Sequence, residues 1–198
     1  MIAVSLLLAV LASADGMKTA PASGPLSWDQ ANSLTRKLEA IEKRKLQPAK
    51  KKPQTVFFTQ GEVNSYLNLS YAERLPKGVS DVLVKLDRDR MQVSGLVNID
   101  RVKGKVEGGG GGLLSFLSGD VPLEATGKVR GKDGFGTVVW ESVYLGGMRL
   151  PISALEQMVR SATKTEAEPE GFDIHAPFRL PYSVNGLRIE PGRAFLEF

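Results

Sequence analysis

The chain has 198 residues, 42% hydrophobic and 24% charged, which is typical of one globular domain with short extensions. It has no cysteine and one histidine, His175, which excludes disulfides, thiol catalysis and metal sites built from cysteines or from several histidines of this chain. The net charge is +4, but residues 36–53 alone hold eight Lys and Arg residues against two Glu. From residue 54 onward 17 basic residues face 18 acidic ones, so the folded part lacks the basic patch of a nucleic-acid-binding domain, and no nucleic-acid partner is expected.

The N-terminus has the features of a secretory signal peptide. Residues 2–12 are apolar apart from Ser5, a stretch too short to cross a bilayer as a helix but typical of a signal-peptide core. Ala12-Ser13-Ala14 matches the small-residue cleavage motif, although no Lys or Arg precedes the apolar stretch. We expect cleavage of residues 1–14 and export to the periplasm or the extracellular space. The alternative is a buried N-terminal strand or helix.

Residues 15–53 are predicted to form an extension that carries one charged helix. Ser27-Trp28-Asp29-Gln30 matches a capping box, S-x-x-Q, and predicts a helix over 28–46. The apolar positions of this helix form a narrow seam: Ala31, Leu34, Leu38 and Ile41. We therefore expect weak docking and little loss of stability when the extension is deleted. The lysines at 50–52 are interpreted either as a solvated tether or as an adhesion site for anionic lipid headgroups.

The folded domain is expected to span residues 54–198 and to begin with a short helix. Thr59-Gln60-Gly61-Glu62 is a second capping box, and Phe58 and Val63 are placed as its hydrophobic staple. These signals predict a helix over 60–69.

Alternating apolar and polar residues then predict antiparallel strands with one buried face. The inward positions of the first hairpin are Val82, Val84, Leu86, Met91, Val93, Gly95, Val97 and Ile99. A third strand over 121–130 ends at Lys132-Asp133-Gly134, where the Asp-Gly pair suits positive φ angles. Residues 135–145 are apolar at odd and even positions alike, which predicts a strand covered on both faces.

Five consecutive glycines at 108–112 interrupt the strands. They lack the GxxxxGK[ST] ending of a phosphate-binding loop and indicate a flexible linker. The apolar residues that follow are Leu113, Leu114, Phe116 and Leu117. We expect them either to dock on the sheet as a short helix or to form an apolar tip that contacts a membrane.

A second long helix and two more strands complete the chain. Ser153 and Glu156 match a further capping box, with Pro151 near the helix start. A strand is predicted over 174–180, and Pro191-Gly192 predicts a type II turn before a closing strand. The order of elements indicates an α+β fold, in which a curved antiparallel sheet of hairpins wraps one main helix that begins near Ser153.

No constellation of side chains indicates catalysis. Asp87 and Asp89 share a turn but lack the further oxygen ligands of a calcium site, and the alternating glutamates of 166–170 fit a solvated loop. His175 lies on the polar face of its predicted strand, and no GxSxG motif is present. We expect a protein that is not an enzyme and that holds no metal or cofactor.

Four short phrases stand out in residues 55–198: FTQGEVNSYL at 58–67, LPKGV at 75–79, VSG at 93–95 and GMRLP at 147–151. With the order of elements, they resemble the tubular lipid-binding (TULIP) and AsmA-related group of small exported bacterial domains. The resemblance implies a strongly curved sheet around a helix and an apolar groove that takes acyl chains. The five-glycine insert and the lysine-rich extension depart from the group's pattern.

These observations predict a non-catalytic exported protein, of the periplasm or cell envelope, that binds a lipid or another apolar ligand between sheet and helix. The expected groove lining is Val63, Leu67, Val97, Ile99, Leu155 and Val159. The alternative is a structural or protein-interaction module of the envelope with a filled core. A membrane surface is a further expected partner, through the lysines at 50–52 or the residues at 113–117.

Overall fold

The computed structural model describes residues 24–45, 54–103, 117–164 and 169–198. The expected signal peptide at 1–14, the lysines at 50–52, the glycines at 108–112, and Leu113, Leu114 and Phe116 lie outside these ranges. The described helices are α1 (Trp28–Lys45), α2 (Gln60–Ser65), α3 (Ile99–Lys103) and α4 (Ile152–Thr163). A π-helical turn at Tyr66–Ser70 extends α2, and 3₁₀ turns occur at Ala72–Arg74 and Pro181–Ser183. The strands are β1 (Thr55–Thr59), β2 (Val79–Asp87), β3 (Arg90–Asn98), β4 (Asp120–Lys132), β5 (Phe135–Leu145), β6 (Met148–Arg149), β7 (Phe178–Arg179), β8 (Gly186–Glu190) and β9 (Arg193–Glu197).

The nine strands of the described ranges form one open antiparallel sheet. Its order is β1-β9-β8-β4-β3-β2. Strand β5 branches off this order: it pairs with β4, and also with the short strands β6 and β7. The turns follow the sequence signals: Asp133 and Gly134 have φ of 54° and 80°, and Gly192 has φ of 73° in the type II position. The predicted α+β class, an antiparallel sheet of hairpins with helices on it, is confirmed.

One face of the sheet carries two separate hydrophobic clusters. The first core cluster lies against α1 and α2 and includes Leu34, Ile41, Phe58, Val63, Leu67, Val84, Leu86, Met91, Val93, Val129 and Ile189. The second core cluster lies against α4 and includes Val97, Ile99, Val121, Leu123, Ala125, Val143, Leu145, Leu155, Val159 and Ile174. Strand β3 contributes to both clusters from the same face, because Met91 and Val93 precede Val97 at alternate positions. The sheet therefore supports α1 and α2 at one end and α4 at the other.

Helix α1 belongs to the core, contrary to the weak docking expected from its narrow seam. Leu34 and Ile41 are only 4% and 3% exposed, and Ala31 is fully buried. The helix is also fastened by polar contacts, since the Ser27 N–H donates to Ser65 Oγ and the Ser65 hydroxyl donates to Gln30 Oε1. The capping-box residues thus bind the neighbouring helix, a long-range partner that the local pattern does not reveal.

Strand β5 is not covered on both faces, because a β-bulge changes which positions face inward. The pairing with β4 shifts at Glu141, so Val138 and Trp140 face the core before the shift and Val143 and Leu145 after it. Val139, on the outer face, is 64% exposed. Because the inward-facing positions change from even to odd numbers at the bulge, apolar residues occur at both. A strand covered on both faces would show the same sequence pattern.

Two further element boundaries differ from the sequence prediction. Helix α4 begins at Ile152 with Pro151 as its N-cap, because the Pro151 carbonyl accepts the first helical hydrogen bonds and Ser153 already lies in the first turn. The strand expected over 174–180 shrinks to β7, since the Asp173 carboxylate accepts the His175 N–H in a turn and Pro177 has no N–H to donate.

Three side-chain amides cover the outer edge of β2, the last strand of the sheet order. Asn64 pairs with both backbone groups of Val84, accepting its N–H at 2.7 Å and donating to its carbonyl at 3.1 Å. Gln60 Oε1 accepts the Leu86 N–H, and Asn68 Nδ2 donates to the Val82 carbonyl. Four helical residues rise about 6 Å and two strand residues about 6.7 Å, so amides four apart meet alternate strand residues. We call Gln60, Asn64 and Asn68 the amide ladder.

Candidate functional site

An apolar cavity of about 190 Å³ lies within the first core cluster, between α1 and the sheet. Almost all of its lining side chains are hydrocarbon: Leu34, Leu38, Ile41, Phe58, Val63, Tyr66, Val84, Leu86, Met91, Val129, Val138, Phe178, Leu180, Pro181, Tyr182, Leu187, Ile189, Ala194 and Leu196. Native cores are close-packed and contain few voids larger than a water molecule. A cavity of this size and lining is therefore a candidate binding site rather than an ordinary packing defect.

Two facing glycines shape the wall of the cavity opposite α1. Gly131 and Gly136 pair across β4 and β5. A Cβ at Gly136 would lie 2.4 Å from the ring of Phe178, and one at Gly131 would lie 2.5 Å from Leu187 Cβ. Because neither glycine has a side chain, the segment from Phe178 to Leu187 can pass close to the sheet and enclose the cavity.

The cavity reaches the surface beside α1. Of the α1 residues that line it, Leu34 and Ile41 are buried and Leu38 is partly exposed, as are Leu180 and Tyr182 on the C-terminal side. Lining side chains of α1 and of the 3₁₀ turn that contains Tyr182 thus reach the surface, and we call this part of the cavity boundary the opening. A dry apolar cavity of about 150 Å³ is known to accept benzene, so this one suits a chain segment of roughly six to eight carbon atoms.

Polar groups gather at the rim of this opening. The Tyr66 and Tyr71 rings stack with centroids 5.8 Å apart, and the Arg74 guanidinium lies 5.8 Å from the Tyr71 centroid. Burial raises the pKa of the Tyr66 phenol, Arg74 lowers it, and the nearby phenols of Tyr71 and Tyr182 raise it, with a net increase. Tyr66 is thus uncharged at neutral pH and can donate a hydrogen bond.

The rim also contains a strained stretch of backbone. Tyr182 and Ser183 both have left-handed φ angles, 56° and 61°. Residues other than glycine rarely adopt this conformation, and two in succession cost of order 1–3 kcal/mol each. On the same side, burial raises the pKa of Tyr182, and the neighbouring Glu42 of α1 raises it further.

A partly buried ion pair between Lys37 and Glu62 holds α1 in place above the cavity. The Glu62 carboxylate accepts hydrogen bonds from Lys37 Nζ at 2.7 and 2.8 Å, from Ser33 Oγ at 2.6 Å and from the Thr59 N–H at 2.8 Å. Burial alone would raise the pKa of Glu62, but these hydrogen bonds outweigh it, and the pKa lies below its ordinary value. Glu62 also completes the predicted capping box with Thr59, so one carboxylate joins the start of α2 to α1.

The structure separates the six residues expected to line one groove. Val63 lines the cavity, and Leu67 lies in the same first core cluster. Val97, Ile99, Leu155 and Val159 lie in the second core cluster and do not line the cavity. Leu117, alone among the four residues of the expected apolar tip, is within the described ranges, where it packs against the second core cluster.

Sequence reasoning missed the contributions of α1 and of the C-terminal hairpin to the cavity. Leu34, Leu38 and Ile41 were visible at helical spacing, but that spacing alone does not show what a helix packs against. Leu187, Ile189, Ala194 and Leu196 alternate along β8 and β9 in the way of any half-buried hairpin. The pairing of β8 with β4 at Leu187 and Gly131, which joins the C-terminal hairpin to the rest of the sheet, brings the two groups together.

The single histidine lies near two carboxylates at the surface. His175 is exposed, with its Nε2 3.6 Å from Glu156, and Arg160 links Glu156 to Asp173. The described residues contain no group of three or more His, Asp or Glu side chains that could hold a metal ion. Within the same ranges no helix has the length and apolar character needed to cross a membrane.

No protein-family model, curated protein or solved structure matches the chain.

Proposed function

We propose that the protein is a non-catalytic exported binding protein that holds one apolar chain in the cavity between α1 and the sheet. The observation that carries this proposal is the cavity itself, about 190 Å³ in volume, lined by hydrocarbon and open beside α1. Its volume accommodates a segment of a single acyl chain rather than a whole two-chain lipid. The resemblance of residues 55–198 to the TULIP and AsmA-related group agrees with a lipid ligand.

Export is part of the same proposal and has its own test. It is supported by the apolar stretch at 2–12 and the Ala12-Ser13-Ala14 motif. The protein isolated from the periplasm or culture medium should begin at Asp15 when its N-terminus is sequenced. Retention in the cytosol with Met1 in place would contradict this part of the proposal.

A pair of matched substitutions tests whether the cavity binds a ligand. Ala194 lines the cavity, so Ala194→Leu places three extra carbon atoms in the space that a ligand would use. Ala125 is 1% exposed in the second core cluster, so Ala125→Leu adds the same atoms to a packed region. We expect Ala194→Leu to keep or raise the free energy of unfolding and Ala125→Leu to lower it by about 1–3 kcal/mol through overpacking.

Bound material is measured on the same preparations by mass spectrometry of their organic extracts. We expect a stoichiometric apolar compound in the wild type and in any folded Ala125→Leu protein, and its loss from Ala194→Leu. The alternative, a structural or interaction module with a filled core, predicts that both substitutions destabilise the protein and that no compound is extracted. That result would overturn the binding function.

A further inference from the structure

The rim of the cavity distinguishes one end of an amphiphile from the other. The interior offers no charged group, so the hydrocarbon end of any ligand must enter and a polar end must stay at the opening. Tyr66 and Tyr182 line the cavity at this opening and present phenol groups to such an end.

Two charged side chains of opposite sign lie near the phenols of the rim. Arg74 stands over Tyr71, whose ring stacks on Tyr66, and it is exposed. Glu42 lies on α1, close enough to Tyr182 to affect the pKa of that phenol. Arg74 is therefore the charged side chain that acts on the Tyr66 phenol, and Glu42 is the one that acts on the Tyr182 phenol.

We propose that the cavity selects a single-chain carboxylate amphiphile, of the fatty-acid class, whose carboxylate accepts a hydrogen bond from Tyr66 and faces Arg74. A guanidinium is the side chain best suited to a planar carboxylate, and a phenol donor adds a second contact. A dianionic phosphate head would leave its second charge uncompensated beside Glu42. The inference rests on the proposed binding function and specifies its ligand.

Three ligands with the same eight-carbon chain test the selection: octanoate, 1-octanol and octylamine. Isothermal titration of the purified mature protein, freed of extracted compounds, gives a dissociation constant for each. We expect octanoate to bind several-fold more tightly than 1-octanol and octylamine to bind most weakly. The preference for octanoate over 1-octanol should shrink in 1 M salt, where charges are screened within about 3 Å.

Two variants of opposite sign locate the charge effect. Arg74→Gln should weaken octanoate binding by about two- to fivefold, and Glu42→Gln should strengthen it by a similar factor, as exposed charge pairs generally do. Neither change should alter the binding of 1-octanol. Lys85→Gln removes a positive charge from the outer face of β2, away from the cavity, and should leave all three affinities unchanged.

The outcomes separate this inference from the function on which it rests. If 1-octanol binds as tightly as octanoate and Ala194→Leu abolishes both, the cavity binds apolar chains without recognising a carboxylate, and only the present inference is overturned. If Arg74→Gln and Glu42→Gln leave octanoate binding unchanged, the assignment of the carboxylate to this rim is wrong. If none of the three ligands binds, the proposed function itself is contradicted.

Discussion

Substitution of Leu34 by alanine tests whether α1 is an integral part of the fold. Leu34 is 4% exposed, lies in the first core cluster and borders the cavity. Alanine keeps the helix, because its helix propensity is at least as high as that of leucine. The substitution therefore isolates the packing of one side chain against the sheet from the stability of the helix itself.

The expected magnitude follows from the burial of the side chain and from the cavity beside it. Truncation of a buried leucine to alanine costs about 2–5 kcal/mol, as a transfer term plus a cavity term. Leu34 already faces the cavity on one side and so loses fewer contacts than a leucine enclosed on all sides. We expect a loss of about 2–3 kcal/mol in the lower half of that range. For a chain of this length, such a loss lowers the melting temperature by roughly 5–10 °C.

Urea denaturation followed by circular dichroism gives the free energy, and calorimetry gives the melting temperature. Leu26→Ala is the matched control, because Leu26 is 45% exposed and the same atoms are removed. The control should change stability by no more than about 0.5 kcal/mol, as is usual for surface substitutions. If Leu34→Ala were equally mild, α1 would be the weakly docked extension that its narrow seam suggests, and the cavity would lack its roof.

Three further substitutions test the contacts that surround the cavity. Glu62→Gln should lower the free energy of unfolding by about 2 kcal/mol at pH 7, because charged hydrogen bonds are lost. The pKa of Glu62 is lowered by folding, so its stabilising contribution is present above the ordinary value of 4.5 and disappears as the pH falls through the lower folded value. The difference between wild type and Glu62→Gln should therefore shrink in acid. Asn64→Ala leaves both backbone groups of Val84 without their amide partner and should cost about 2–4 kcal/mol, with faster hydrogen exchange at the Val84 amide. Gly136→Ala places a Cβ 2.4 Å from Phe178, so it should destabilise the protein and alter the affinity of the cavity for 1-octanol.

Two of these substitutions, Gly136→Ala and Glu62→Gln, have a matched control within the chain. Gly24→Ala is the control for Gly136→Ala, because no atom lies within 4 Å of its added Cβ. Glu141→Gln is the control for Glu62→Gln, because Glu141 pairs with Arg90 and Lys128 on the outer face of the sheet, where ion pairs contribute at most about 1 kcal/mol. An equal loss in test and control would show that position within the molecule has no bearing on the effect.

Local signals in the sequence predicted the local structure of the sheet well. The capping box at Thr59 and Glu62, the Asp133-Gly134 turn and the Pro191-Gly192 turn are all formed. Each of these three features is formed by residues within four positions of one another, so the local sequence is sufficient to predict it. The alternation along β2, β3 and β4 likewise predicted which face is buried, because that period reflects one sheet face against one core.

The sequence predictions that were wrong concern features that depend on contacts between segments far apart in the chain. The seam of α1 is narrow by composition, yet it is buried because it packs against α2, the following π-helical turn and sheet residues within the first core cluster. The bulge at Glu141 changes the phase of β5 through its pairing with β4, which no pattern within β5 alone can show. The cavity depends on both effects, together with the close approach at Gly131 and Gly136. A candidate site could therefore be expected between sheet and helix, but not placed at the correct helix.

The amide ladder was visible in the sequence as Gln60, Asn64 and Asn68 at intervals of four. The sequence did not show that these amides bind a strand edge, because the same spacing on an exposed helix face would leave the amides solvated. Their partners, the backbone groups of Val82, Val84 and Leu86, belong to a strand whose edge position is set by the whole sheet.

The same ladder bears on the behaviour of the protein at high concentration. An uncovered strand edge offers a row of backbone donors and acceptors to any other chain and is a common start of intermolecular β-sheet growth. On β2 those groups are already occupied by the side chains of a helix, so another molecule can pair with this edge only after α2 has moved away. We therefore expect the rate of aggregation through β2 to depend on the local opening of α2. Aggregation should begin at denaturant concentrations well below the one that unfolds the sheet.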